Sequence, residues 1–116
     1  GIFSAVGTKV SGSNNVGLNK AGDVRLYANG ACTLTISAAE GYTIQSIKIT
    51  FTSASYGKNC VVTVGENAIY TSATSGVEAT EEIAINASSF VLSNSATSGQ
   101  VRIASMEIVY AATTIA

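Results

Sequence analysis

Histidine does not occur in this 116-residue chain, and that omission closes the commonest routes to catalysis. Without an imidazole there is no Ser-His or Cys-His nucleophile pair, no general base tuned near neutral pH and no imidazole metal ligand. A pair of carboxylates could still work as acid and base, because glycoside hydrolysis needs only two. The supply is one aspartate, Asp23, and six glutamates, of which Glu81 and Glu82 are adjacent. Neighbours on a strand point to opposite faces, so these two are not expected to converge. Glycine spacings that cradle phosphate are absent. The loop from Ser11 to Asp23 has several oxygens but a single carboxylate, and reads as a polar connection rather than a calcium site. The expectation is therefore no enzyme, no catalytic residue, no metal and no cofactor.

Aromatic faces offer a different chemistry, the stacking of a sugar ring beside polar side chains. Tryptophan is missing, and the five tyrosines carry the candidates. Tyr56 is the best placed, in the polar loop Ser53-Ala-Ser-Tyr-Gly-Lys-Asn59, with Lys58 and Asn59 beside it. Tyr42 and Tyr70, the latter near Asn67, are secondary candidates, whereas Tyr27 and Tyr110 sit in strand-like segments and are expected in the core. Arg25 and Arg102 each follow a valine, and read as surface arginines with packed stems and wet heads. Cys32 and Cys60 each open a predicted strand. A bridge between them would stabilise the fold by roughly 3 to 4 kcal/mol through loop closure, and two buried free thiols are the equal alternative.

The elements that must position these residues are strands. Turn residues recur at short intervals, and between them lie Val24 to Ala28, Cys32 to Ala38, Tyr42 to Ser53, Cys60 to Val64, Ala68 to Ser72, Glu81 to Asn86, Ser89 to Ser93 and Gln100 to Ala111. These make roughly eight strands and no helix. Two of them share one apolar spacing, Ile44-x-x-Ile47-x-Ile49-x-Phe51 and Ile103-x-x-Met106-x-Ile108-x-Tyr110. The three-residue first step breaks the period of two, and predicts a bulge or bend at Gln45-Ser46 and at Ala104-Ser105. Asn29-Gly30 predicts a hairpin that pairs Val24 to Ala28 with Cys32 to Ile36. The fold expected is an all-β antiparallel β-sandwich, jelly-roll-like, with residues 1–110 as one domain and 111–116 as a C-terminal extension.

The order of motifs resembles small jelly-roll-like modules in secreted and surface proteins of gut anaerobic bacteria. The residues that carry the likeness are Val24-Arg25-Leu26-Tyr27, Thr33-Leu34-Thr35-Ile36, Gly41-Tyr42-Thr43-Ile44 through Phe51, and Val101-Arg102-Ile103 through Tyr110. The resemblance covers most of the chain and implies the fold, with glycan binding as an associated activity. The chain departs from it in having no tryptophan between Thr71 and Thr80.

Composition bounds the partners. The chain is 47% hydrophobic and 11% charged, so its surface must be largely Ser, Thr, Asn, Gly and Ala. A net charge of −1 and a pI near 5.2 leave no footprint for nucleic acid. No apolar run reaches membrane-span length, and the first residues lack a signal peptide and an initiator Met, which reads as a mature or excised extracellular segment. Exposed sheet edges are normally guarded by charge or proline, and this chain has no proline and few charges. Cys60 to Val64 and Phe90 to Leu92 are the candidate unguarded edges, and Ile2, Phe3 and Ile115 the candidate assembly contacts. The function expected is a structural or adhesion subunit of a surface assembly, in contact with other copies of itself or neighbouring modules. A carbohydrate-binding accessory module is the alternative.

Overall fold

The computed structural model describes residues 3–9, 17–18, 24–27 and 32–112. They form ten strands: β1 (Phe3–Lys9), β2 (Gly17–Leu18), β3 (Val24–Tyr27), β4 (Cys32–Ala38), β5 (Tyr42–Phe51), β6 (Cys60–Val64), β7 (Asn67–Thr71), β8 (Ile83–Ala87), β9 (Ser89–Asn94) and β10 (Gln100–Ala112). Two five-stranded sheets have the orders β1-β4-β9-β6-β7 and β2-β3-β10-β5-β8. Every pairing is antiparallel. β3 pairs with β10, β4 with β9, β5 with β8 and β6 with β7, so the chain is one long ribbon folded back on itself and rolled into two layers. That nesting is the jelly roll.

The eight expected segments are all strands. Strands β1 and β2 were not expected: β1 mixes Gly7 and Thr8 into its apolar run, and β2 is too short to show a period. Strand β10 continues through Ala111 and Ala112, which pair with Thr43 and Tyr42, so the domain runs past residue 110. Residues 113–116 lie outside the described residues.

One core fills the space between the sheets. Leu26, Ile44, Ile47, Ile49, Phe51, Val101 and Ile103 from one layer meet Leu34, Ile36, Cys60, Val62, Phe90 and Leu92 from the other. The shared apolar spacing acts as expected except at its last place on β10, Tyr110, which is exposed. On β5, Gln45 is skipped where Val109 pairs with Ser46 and Tyr110 with Ile44, and on β10, Ala104 is skipped between Ile103 and Ser105. Each irregularity lets two apolar residues three apart, Ile44 with Ile47 and Ile103 with Met106, serve the same core.

The Asn29-Gly30 reading is corrected. Strands β3 and β4 do not pair; they belong to opposite sheets, β3 between β2 and β10, and β4 between β1 and β9. Both carry inward apolar residues, Leu26 on one and Leu34 and Ile36 on the other. Facing each other across the core buries those side chains, which a two-stranded ribbon would leave half exposed. The two candidate edges are corrected as well: Cys60–Val64 is β6, flanked by β9 and β7, and Phe90 to Leu92 lies in β9, the central strand of its sheet. Uncharged apolar runs go where both neighbours and the core can use them.

Asn94 ties the layers together. It is almost fully buried at the end of β9, and its Nδ2 donates to the Leu26 carbonyl of the opposite sheet at 3.1 Å and to the Gly99 carbonyl at 3.2 Å. Its Oδ1 accepts from the Ala96 N–H at 3.0 Å. The amide is thereby satisfied on both sides, as burial requires.

Candidate functional site

The sequence placed Tyr56, Lys58 and Asn59 together, and the structure separates them. Tyr56 ends a single 3-10 turn, Ala54–Tyr56, closed by Tyr56 N–H to Ser53 O and Gly57 N–H to Ala54 O, each 3.0 Å. The Arg102 guanidinium lies over its ring, 4.3 Å from the centroid, and is steered there by an Nε donation to Gln100 Oε1 at 2.9 Å. The ring expected as an open sugar platform is half-buried, with one face taken by a cation. Arg102, expected as a freely hydrated surface arginine, is the group that covers it.

Lys58 and Asn59 instead line a polar cleft of about 420 Å³ at the loop end of the sandwich, with Thr74 and Ser95 to Ser98 opposite. Asn59 adopts φ 55° and is held at several points. Its Nδ2 donates to Thr74 Oγ1 at 3.5 Å, and its carbonyl accepts from the Ser95 N–H at 3.0 Å and Ser95 Oγ at 3.3 Å. Asparagine is among the few side chains that tolerate this left-handed backbone.

A second recess lies on the side of the sandwich where β7 and β8 end their sheets. It has about 580 Å³, with Ile69 and Tyr70 on one wall, Ile83 on the other, Val77 between them, and Glu81 and Glu82 at its mouth. Strand β7 bulges at Ile69, the residue skipped where Val62 pairs with Tyr70 and Thr63 with Ala68, and Ile69 is 43% exposed. Neither β7 nor β8 contains a charged residue.

The segment that joins these two edges is clamped at both ends by the same device. Ser72 N–H donates to the Cys60 carbonyl at 2.9 Å while its Oγ accepts from the Cys60 N–H at 2.8 Å. Thr80 N–H donates to the Ile49 carbonyl at 2.8 Å while its Oγ1 accepts from the Ile49 N–H at 3.0 Å. Both hydroxyls are buried and replace a ladder partner where the regular pairing stops. Phe51 N–H donates to Glu78 O at 2.9 Å, and Ala79 bridges to Thr50. The stretch from Glu78 to Thr80 is thus strapped to β5. Strand β8 begins only at Ile83, so Glu81 and Glu82 precede it, both are exposed, and both line the same recess. The expectation that strand geometry would separate them is corrected.

The remaining candidates fall elsewhere. Phe3 belongs to β1, opposite Ala38, and its ring meets the edge of Tyr110 at 5.1 Å, so it packs within its own sandwich. Tyr110, expected in the core, is 42% exposed and also contacts Tyr42 at 5.9 Å. Ile2 and Ile115 lie outside the described residues. The Cys32–Cys60 bridge is corrected: Cys60 is a free thiol. Thr33 and Val61 both pair with Ser93 of β9, which runs between the two cysteine-bearing strands. Two strand spacings of roughly 4.8 Å exceed the reach of a disulfide, about 7 Å between Cα atoms.

Burial pushes the Cys60 thiol up to about 12. Burial also raises the Tyr70 hydroxyl, with a smaller contribution from a charge on Cys60. A thiol raised in the folded state contributes stability that is complete below its unfolded value of 9.0 and is lost as pH rises toward 12. Unfolding free energy is expected to fall by up to about 1.4 kcal/mol per pH unit across that window. Urea titrations at a series of pH values in a Cys32→Ser background check this, and Cys60→Ala should flatten the slope.

Among the described residues no group of three His, Cys, Asp or Glu side chains is arranged to hold a metal ion. None of their helices is long and apolar enough to cross a membrane. Comparison with family models, with curated proteins and with solved structures finds no match to the chain. Its class is defined by its own architecture, an antiparallel jelly-roll β-sandwich with an apolar recess between two uncharged edge strands.

Proposed function

We propose that this chain is a non-catalytic, extracellular β-sandwich subunit that works by protein-protein contact in a surface assembly, a filament, a coat or a multi-module adhesin. The observation that supports this reading is the β7–β8 side. Sheet edges usually carry charge, lysine or proline to prevent unwanted pairing, and here the strands of both sheets that end on this side have none. An apolar recess opens between them, and such surfaces on small domains mark interaction sites. Neighbouring modules, and other copies of the chain presenting a different face to this side, are the partners this implies. Sedimentation velocity over a wide concentration range, with electron microscopy of the same samples, is expected to show regular concentration-dependent assembly. A strict monomer at every concentration would overturn the reading for the isolated domain.

The polar cleft around Lys58 and Asn59 favours a second reading, a carbohydrate-binding accessory module, in line with the resemblance to modules of gut anaerobes. Hydroxyl and amide groups around a shallow cleft suit a sugar's hydroxyls, although no aromatic ring lines it. Retention on immobilised glycans that disappears in Lys58→Ala with Asn59→Ala, at unchanged association state, would favour this reading over assembly.

A further inference from the structure

We propose that the β7–β8 recess takes an extended polypeptide segment in which apolar residues alternate with lysine or arginine. This rests on the protein-contact reading above and names the chemistry of the partner. Three observations carry it. The walls, Ile69 and Tyr70 from one sheet and Ile83 from the other, are the edges of two layers, and an extended segment can seat alternate side chains between two such edges. Past the bulge at Ile69, Tyr70 and Ser72 turn their backbone groups toward β6, so the intervening Thr71 directs its N–H and C=O outward and offers an incoming segment one ladder position beside the apolar slot. The mouth is acidic: Glu81 and Glu82, both exposed, line it, two of the chain's seven acidic groups.

Among the described residues neither Glu81 nor Glu82 is engaged in an ion pair or hydrogen bond. Lys48 shares a shallow recess with both on the outer face of β5, and one ammonium against two carboxylates leaves the rim negative. A two-fold copy of this same side would set those carboxylates against each other, so charge favours a cationic segment over self-pairing at this side.

The test titrates the full chain with a short, labelled peptide of alternating valine and lysine, followed by fluorescence anisotropy. The valine–glutamate and serine–lysine peptides are the comparisons. Binding of the valine–lysine peptide alone is expected, weakening severalfold between about 20 and about 300 mM salt. Glu81→Gln with Glu82→Gln should weaken it about five- to tenfold, the size of two exposed charge contacts. Ile69→Asp, at an exposed position that leaves folding intact, should abolish it. Equal binding of the serine–lysine peptide, or no effect of Ile69→Asp, would reduce the contact to unspecific charge attraction and overturn the proposal. Assembly of the chain without peptide binding would overturn this inference and leave the protein-contact reading standing. Peptide binding by a strict monomer would support the recess and overturn the assembly reading.

Discussion

Replacing Asn94 by alanine is expected to cost about 3 to 4 kcal/mol, among the largest effects of any single polar substitution in this fold. The side chain is 1% exposed and makes three hydrogen bonds, one of which crosses from one sheet to the other at Leu26. Truncation leaves the Leu26 carbonyl without this partner in a buried site, while the Gly99 carbonyl and the Ala96 N–H lose theirs nearer the surface. Asn94→Asp tests the direction of the bonds. It keeps an acceptor for Ala96 but loses both donations and places a charge in the core, so it should be at least as damaging as alanine at neutral pH. Chemical denaturation of the two variants beside Ser95→Ala, an exposed neighbour, checks the expectation. Asn94→Ala within about 1 kcal/mol of the parent would show that the cross-sheet bond does not hold the layers together.

Gly76→Ala and Gly57→Ala are expected to be similarly costly, about 3 kcal/mol each, because two loops interlock through them. A methyl on Gly57 would run into the carbonyl oxygen of Val77 and lie 2.7 Å from Cδ2 of Phe51. A methyl on Gly76 would meet the carbonyl of Ala54, and Gly76 also has φ 91°. Each glycine makes room for the backbone of the other's loop. Gly65→Ala isolates the conformational part, since its φ is 62° but a Cβ there would meet nothing within 4 Å. It should cost only about 1 kcal/mol. Thermal unfolding of the three variants separates crowding from backbone preference, and similar losses in all three would contradict the interlock.

Much of the fold was legible because burial leaves a period in the sequence. The step from Ile44 to Ile47 and from Ile103 to Met106 marked both irregular sites, since an apolar residue out of phase must still reach the core. Lateral strand order leaves no such trace. Period two records which face is buried but not which strand lies alongside, so Cys60–Val64 read as an edge when it is flanked on both sides. Asn29-Gly30 lies outside the described residues, and the choice between pairing and facing was made by Leu26, Leu34 and Ile36 at a distance. The candidate site was less legible for the same reason. Ile69, Val77 and Ile83 are ordinary apolar residues until β7 and β8 are known to end their sheets on one side. Glu81 and Glu82 were misplaced by a strand start set two residues too early. Lys58 and Asn59 line a polar cleft because a polar loop with a left-handed asparagine stays polar wherever the strands go, whereas the ring of Tyr56 is covered by an arginine distant in sequence.

The three buried polar locks also set an order in time. Ser72 holds Cys60 across 12 residues, Thr80 holds Ile49 across 31, and Asn94 holds Leu26 across 68, each spanning the one before. Closing the widest of these first would cost the most chain entropy, whereas closing them from the inside out leaves each next closure only a short added loop. Folding is then expected to run as a zipper from the β6–β7 turn outward, with β3 and β10 the last of the four nested pairs to close. It should be slow for a chain of this size, because so few of its pairings are local.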